Sequence, residues 1–108
     1  MPTQKRILEK HIQNTICQYL FDVKHYFGWR ANTVPIFDKD HFRSMPKYSL
    51  NGVPDIILVK DGIFWGLEVK QPKGKQSENQ KLFEYKLKKA GGRYDIVTSL
   101  DDIIALGL

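Results

Sequence analysis

From Thr3 to about Val23, apolar side chains return at helical spacing. Ile12, Ile16, Leu20 and Val23 share one face, with Leu8 and Tyr19 at its margin. Thr3 is placed to cap the start of this predicted helix. Glu9 falls inside the same apolar arc, close in angle to Ile16 and Leu20. A carboxylate on the core side of a helix is costly without a partner or a metal. One turn from the helix start, it can instead reach solvent past the core edge, and the spacing leaves both readings open. Tyr26 to Phe37 is rich in aromatic and β-branched residues and predicts a first strand ending near Pro35. Asp38 to Asn51 has neither period and reads as a long loop, functional or simply solvated. Within it His41, Arg43, Lys47 and Tyr48 are candidates to grip a nucleic-acid backbone.

The period then changes to that of strands. Asp55 to Lys60 and Ile63 to Val69 flank Asp61-Gly62, a dipeptide whose tolerance of positive φ makes it a strong hairpin signal. A two-residue loop fixes the register: Lys60 faces Ile63, and counting outward Asp55 faces Glu68. Lys70 lies on the same face by alternation. Like charges opposite one another are destabilising, so a cationic group is expected between the two acids. Ile56, Ile57, Leu58 and Val59 are apolar on both faces, as are Phe64 and Trp65 opposite, which predicts interior strands.

Beyond the hairpin, QPKGKQ (Gln71 to Gln76) reads as a turn carrying Lys73 and Lys75. Ser77 and Gln80 match a capping box opening a helix to about Ala90. Its expected buried stripe is Leu82, Phe83, Leu87 and Ala90, with Lys81, Glu84, Lys88 and Lys89 mainly solvated and Gly91-Gly92 as the stop. Tyr94 to Val97 predicts a short strand, and Ser99 with Asp102 caps a last helix ending at Ala105-Leu106. The predicted order is α-β-β-β-α-β-α: an α/β domain spanning 1–108, with a central mixed β-sheet flanked by helices.

Composition narrows the function. The 108 residues are 42% hydrophobic and 27% charged, an ordinary globular balance for one small core. The net charge of +5 suits a phosphate-rich partner. One cysteine, Cys17, excludes an internal disulfide, and His11, His25 and His41 lack metal-ligand spacing. No signal-peptide core or membrane-spanning run is present, so a soluble intracellular, cytoplasmic protein is expected (in the host cell, if viral).

The candidate chemistry lies at the open end of the hairpin. Two facing carboxylates beside an amine suit a hard divalent cation, Mg2+ with Mn2+ able to substitute. Such an ion activates water and polarises a phosphoryl oxygen, and Lys70 is placed to orient or deprotonate the water or to neutralise developing charge. Lys73 and Lys75, just before a helix N terminus, add a phosphate-attracting patch. The combination points to a metal-dependent phosphodiesterase.

The same residues resemble a known pattern. Pro54-Asp55 followed by Glu68-Val69-Lys70 is similar to the PD-(D/E)XK nuclease signature. With Gly52-Val53-Pro54-Asp55 and the helix opening Ser77-x-x-Gln80, the chain resembles the virus-type replication-repair nuclease family and, more distantly, archaeal Holliday-junction resolvases. The resemblance spans Glu9 to about Leu106 and implies a restriction-endonuclease-like core. It implies that Asp55 and Glu68 hold the metal with the Val69 carbonyl, that Lys70 is the catalytic lysine, and that Glu9 is the first-helix acid of the site. It also implies that Gln80 touches DNA or metal-bound water, and that the chain forms a homodimer cutting branched DNA such as four-way junctions in viral or prophage replication, recombination or repair. The apolar tail (Ile103, Ile104, Leu106, Leu108) and the Trp29 region are candidate interface residues, or core. Three rival functions are a sequence-specific restriction enzyme, a catalytically silent DNA-binding subunit, and an interaction module whose acids pair with Lys70 and Lys73.

Overall fold

A four-stranded mixed sheet with helices against it carries the molecule. The structure is a computed structural model and describes residues 4–31, 37–38, 41–42 and 47–108, with side chains for 7–31 and 47–108. The elements are α1 (Gln4–Cys17), a π-helical stretch (Gln18–Val23), β1 (Phe27–Arg30), β2 (Phe37–Asp38), β3 (His41–Phe42), β4 (Ile56–Lys60), β5 (Ile63–Val69), α2 (Glu78–Lys89), β6 (Arg93–Val97) and α3 (Leu100–Ala105). The sheet order is β1-β4-β5-β6, and β2 pairs only with β3. β4 runs antiparallel to both β1 and β5, while β6 runs parallel to β5. The crossover from β5 to β6 is α2, the usual solution for a parallel pair.

The hairpin register follows from its loop. Asp61 and Gly62 both take positive φ, at 55° and 77°, and Lys60 pairs with Ile63, Leu58 with Trp65 and Ile56 with Leu67. β4 and β5 are the two interior strands, which is why apolar residues load both their faces. On one face Ile56, Leu58, Trp65, Leu67 and Val69 join Ile16, Leu20, Val97, Ile103 and Leu108 in the core. Tyr19 and Tyr26 both donate to the Leu108 carbonyl, at 3.2 and 3.1 Å, tying the end of the chain to its first helix. On the opposite face Gly66 lies under α2, where an added Cβ would meet Pro54 Cγ at 2.7 Å and Leu87 Cδ2 at 3.3 Å.

The structure departs from the sequence reading at four places. The first helix widens into i→i−5 bonding, with Lys24 N–H donating to the Tyr19 carbonyl at 2.9 Å. The extra residue per turn rotates Val23 off the apolar face, and it is exposed rather than buried. The first strand ends at Arg30 rather than near Pro35, and the two-residue strands β2 and β3 straddle the start of the stretch expected to be loop. No residue of α2 is fully buried: of the expected stripe Phe83 and Leu87 are half-buried and Leu82 and Ala90 exposed, while Glu84, expected on the solvated face, is half-buried and accepts from Gln76. Of the apolar tail, Ile103 and Leu108 are core, Leu106 is half-buried and Ile104 is exposed. The expected Thr3 cap, Pro35 and Arg43 lie outside the described residues. Among the described residues no helix is long and apolar enough to cross a membrane.

Candidate active site

β4 begins where antiparallel β5 ends, so the first acid of the hairpin and the last meet at one end of the sheet. The Ala31 N–H donates to the Asp55 carbonyl at 2.8 Å, carrying the β1–β4 ladder one residue past Ile56. One step past the Ile56–Leu67 pair, the register sets Asp55 against Glu68. Gly66 admits the Pro54 ring, which seats the entry into β4 just before Asp55. Both acids are removed from water, Asp55 at 5% exposure and Glu68 at 2%. Carboxylates are almost never buried so completely unless paired or ligated.

Asp55 Oδ2 accepts from the Val69 N–H at 2.8 Å, and the Asp55 carboxyl acts on Glu68 by hydrogen bonding and by charge. Burial pushes Glu68 up to about 9, the Asp55 hydrogen bond and charge add to this, Lys70 opposes it and Glu9 contributes last. Glu68 therefore resists ionisation at neutral pH when nothing else neutralises it. The half-buried Lys70 is the cationic side chain beside it and opposes the effect of burial.

Two carboxylate oxygens in this region stand out. Glu68 Oε1 and Glu9 Oε1 are shielded from solvent and have no hydrogen-bond partner. Glu9 thus does not simply run out into water, although the residue as a whole is half-buried. Among the described residues, no three His, Cys, Asp or Glu side chains are grouped so that they could hold a metal ion. The ligand set on offer is therefore the Asp55–Glu68 pair and the Val69 carbonyl. Two carboxylates with one carbonyl are enough for Mg2+, which keeps several waters, and the unpartnered Glu68 oxygen is the kind of acceptor that a cation satisfies. By that test the residues fit the ion.

The candidate nucleic-acid contacts are more scattered. Lys47 is exposed, its ammonium 5.3 Å from the centre of the Tyr48 ring. Lys73, in a left-handed backbone conformation (φ 69°), and Lys75 are exposed in the turn before α2. Gln80 is engaged in the capping box: its Oε1 accepts from the Ser77 N–H at 2.8 Å, while the Gln80 N–H donates to Ser77 Oγ at 3.2 Å. Its role here is to hold the helix start.

Two features were not read from the sequence. Arg30, at the end of β1, donates to Asn14 Oδ1 and holds the Cys17 thiol down against the upward push of burial, bringing a guanidinium to the same end of the sheet as Asp55. Its position opposite Ile56 in the ladder was the available signal, but pairing β1 with β4 needs tertiary information. Tyr94, buried on the α2 side, accepts from Gln76 Nε2 at 3.3 Å. The same amide donates to Glu84 at 3.0 Å, and burial pushes the Tyr94 phenol up to about 12. Comparison with family models, with curated proteins and with solved structures gave no match.

Proposed function

We propose that the chain is a divalent-metal-dependent DNA endonuclease, acting on branched DNA such as four-way junctions, with a restriction-endonuclease-like core. The observation that carries this reading is the buried Asp55–Glu68 pair with Lys70 beside it, at the end of a sheet in a protein of net charge +5. The resemblance of Pro54-Asp55, Glu68-Val69-Lys70 and Ser77-x-x-Gln80 to the virus-type replication-repair nucleases supports it.

Asp55, Glu68 and the Val69 carbonyl would hold Mg2+ or Mn2+, with Glu9 a further carboxylate turned to the same end. The ion, when bound, supplies Lewis-acid activation of water and of a phosphoryl oxygen. The Val69 N–H fixes the orientation of Asp55 through its 2.8 Å hydrogen bond. Burial keeps water from competing for the pair and strengthens each charge interaction within the site. Lys70 orients the attacking water or offsets charge on the phosphate. Lys73, Lys75 and Lys47 attract the backbone without reading sequence. Two copies would present two such sites to a branched substrate, in replication, recombination or repair.

The test is cleavage of a labelled four-way junction beside matched duplex, with Mg2+, Mn2+ or chelator, for wild type and Asp55→Ala. Metal-dependent cutting of the junction alone, lost in the variant, is the expected result. Cutting of both substrates would remove the structural selectivity. Binding of both without cutting would make the chain a catalytically silent DNA-binding subunit.

A further inference from the structure

The face of the sheet that carries Asp55 also carries an aromatic pair at its open edge. β1 is an edge strand, and its residues alternate sides in register with β4: Phe27 opposite Val59, Trp29 opposite Ile57. Gly28 points the other way, where an added Cβ would meet Phe21 at 2.8 Å. Phe27 and Trp29 therefore project on the face of Ile57 and Asp55. Trp29 is the diagonal same-face neighbour of Asp55 across the ladder, roughly 7–8 Å away. The two rings pack edge to face at 5.9 Å, yet remain 71% and 46% exposed. Large aromatic side chains left this open in a small domain that needs apolar burial call for an explanation.

We propose that Phe27 and Trp29 form a stacking platform for unpaired bases of a DNA strand whose backbone passes the Asp55–Glu68 site. The proposal rests on the nuclease reading and assigns its specificity to single-stranded segments at or near the branch. Aromatic faces stack any base and so select unpaired nucleotides without reading sequence. The ring–ring contact holds both side chains in place before binding, which lowers the ordering cost. A second copy of the chain fits less well as the occupant. The two rings together expose of order 250 Å2, well short of the roughly 800 Å2 per partner of a stable interface. The net positive charge also favours a polyanion over a like-charged copy.

Tryptophan fluorescence offers a local readout, because the chain has two tryptophans and Trp65 is buried beneath the Arg93 guanidinium. In a Trp65→Phe background, with circular dichroism to verify folding, a twelve-nucleotide oligo-dT in chelator should quench Trp29. Matched duplex should quench it weakly. By anisotropy, Trp29→Leu and Phe27→Leu should each weaken oligo-dT binding about tenfold while changing duplex binding less than twofold, and Trp29→Phe should keep most of the affinity. Equal losses on both DNAs, or none, would overturn the platform. So would a dimer that falls apart in Trp29→Leu by light scattering with oligo-dT affinity unchanged, which would give the face to a second copy. Binding in chelator does not depend on cleavage, so the two readings fail separately. If wild type cuts nothing but oligo-dT binding depends on Trp29, only the nuclease reading falls. If wild type cuts and Trp29→Leu binds normally, only the platform does.

Discussion

The β4–β5 hairpin carries acids at both ends, and the two ends behave as different chemistry. At the turn, Asp61 is 81% exposed and accepts from Lys60 at 3.1 Å, with Lys60 itself 31% exposed. Water screens that pair, and such pairs contribute little. At the open end Asp55 and Glu68 are buried, and burial, with Asp55 alongside, pushes the Glu68 carboxyl up to about 9. The residue types are the same and the strands are the same. What differs is the covering: the Pro54 ring packed on Gly66 and the helices at that end shut out water. Burial turns an inert surface charge into a site that requires a counter-charge.

The largest effects are expected at the open end. Glu68→Ala or Asp55→Ala should reduce metal-dependent cleavage about a thousandfold or more while DNA binding persists, as read by cleavage rates beside a binding assay. Undiminished cutting by either variant would remove that residue from the site. Lys70→Ala should lower turnover by about a hundredfold and leave metal affinity near wild type, which a Mn2+ titration of the variant checks.

A smaller effect concerns pH. Glu68 holds its proton up to about 9 in the folded protein, against an ordinary 4.5, so the folded state binds more protons than the unfolded chain between those values. The contribution of Glu68 to metal-free stability is therefore fullest below about 4.5 and is lost as the pH rises towards 9. The loss should be roughly 2–4 kcal/mol, short of the full shift because a charged Glu68 draws water into the site. Thermal unfolding across that range should show the slope in wild type and a flatter one in Glu68→Gln. The smallest effect is expected at the turn: Lys60→Ala and Asp61→Ala should each change stability by less than about 0.5 kcal/mol and leave cleavage unaltered.

The sheet end was legible in the sequence because local chemistry dictates it. Asp61-Gly62 sets the register, and the register puts Asp55 against Glu68. The two helix caps were legible for the same reason: Ser77 with Gln80, and Ser99, which accepts from the Asp102 N–H at 3.2 Å. What escaped was set by tertiary packing. The π-helical stretch that exposes Val23, the pairing of β1 with β4 that delivers Arg30 and Trp29, and the half-covered face of α2 depend on neighbours distant in sequence. How deeply the two acids are buried, and so how far Glu68 is pushed from ionising, also depends on packing that the hairpin register alone does not give.

The most direct measurement is a calorimetric titration of Mn2+ into the protein at pH 7, with wild type, Asp55→Asn and Lys60→Ala side by side. If the buried pair exists to take a cation, wild type binds the ion and releases protons as Glu68 gives up its own. Lys60→Ala does the same, and Asp55→Asn loses both the binding and the proton release. Absence of binding in wild type, or equal binding in Asp55→Asn, would contradict the account.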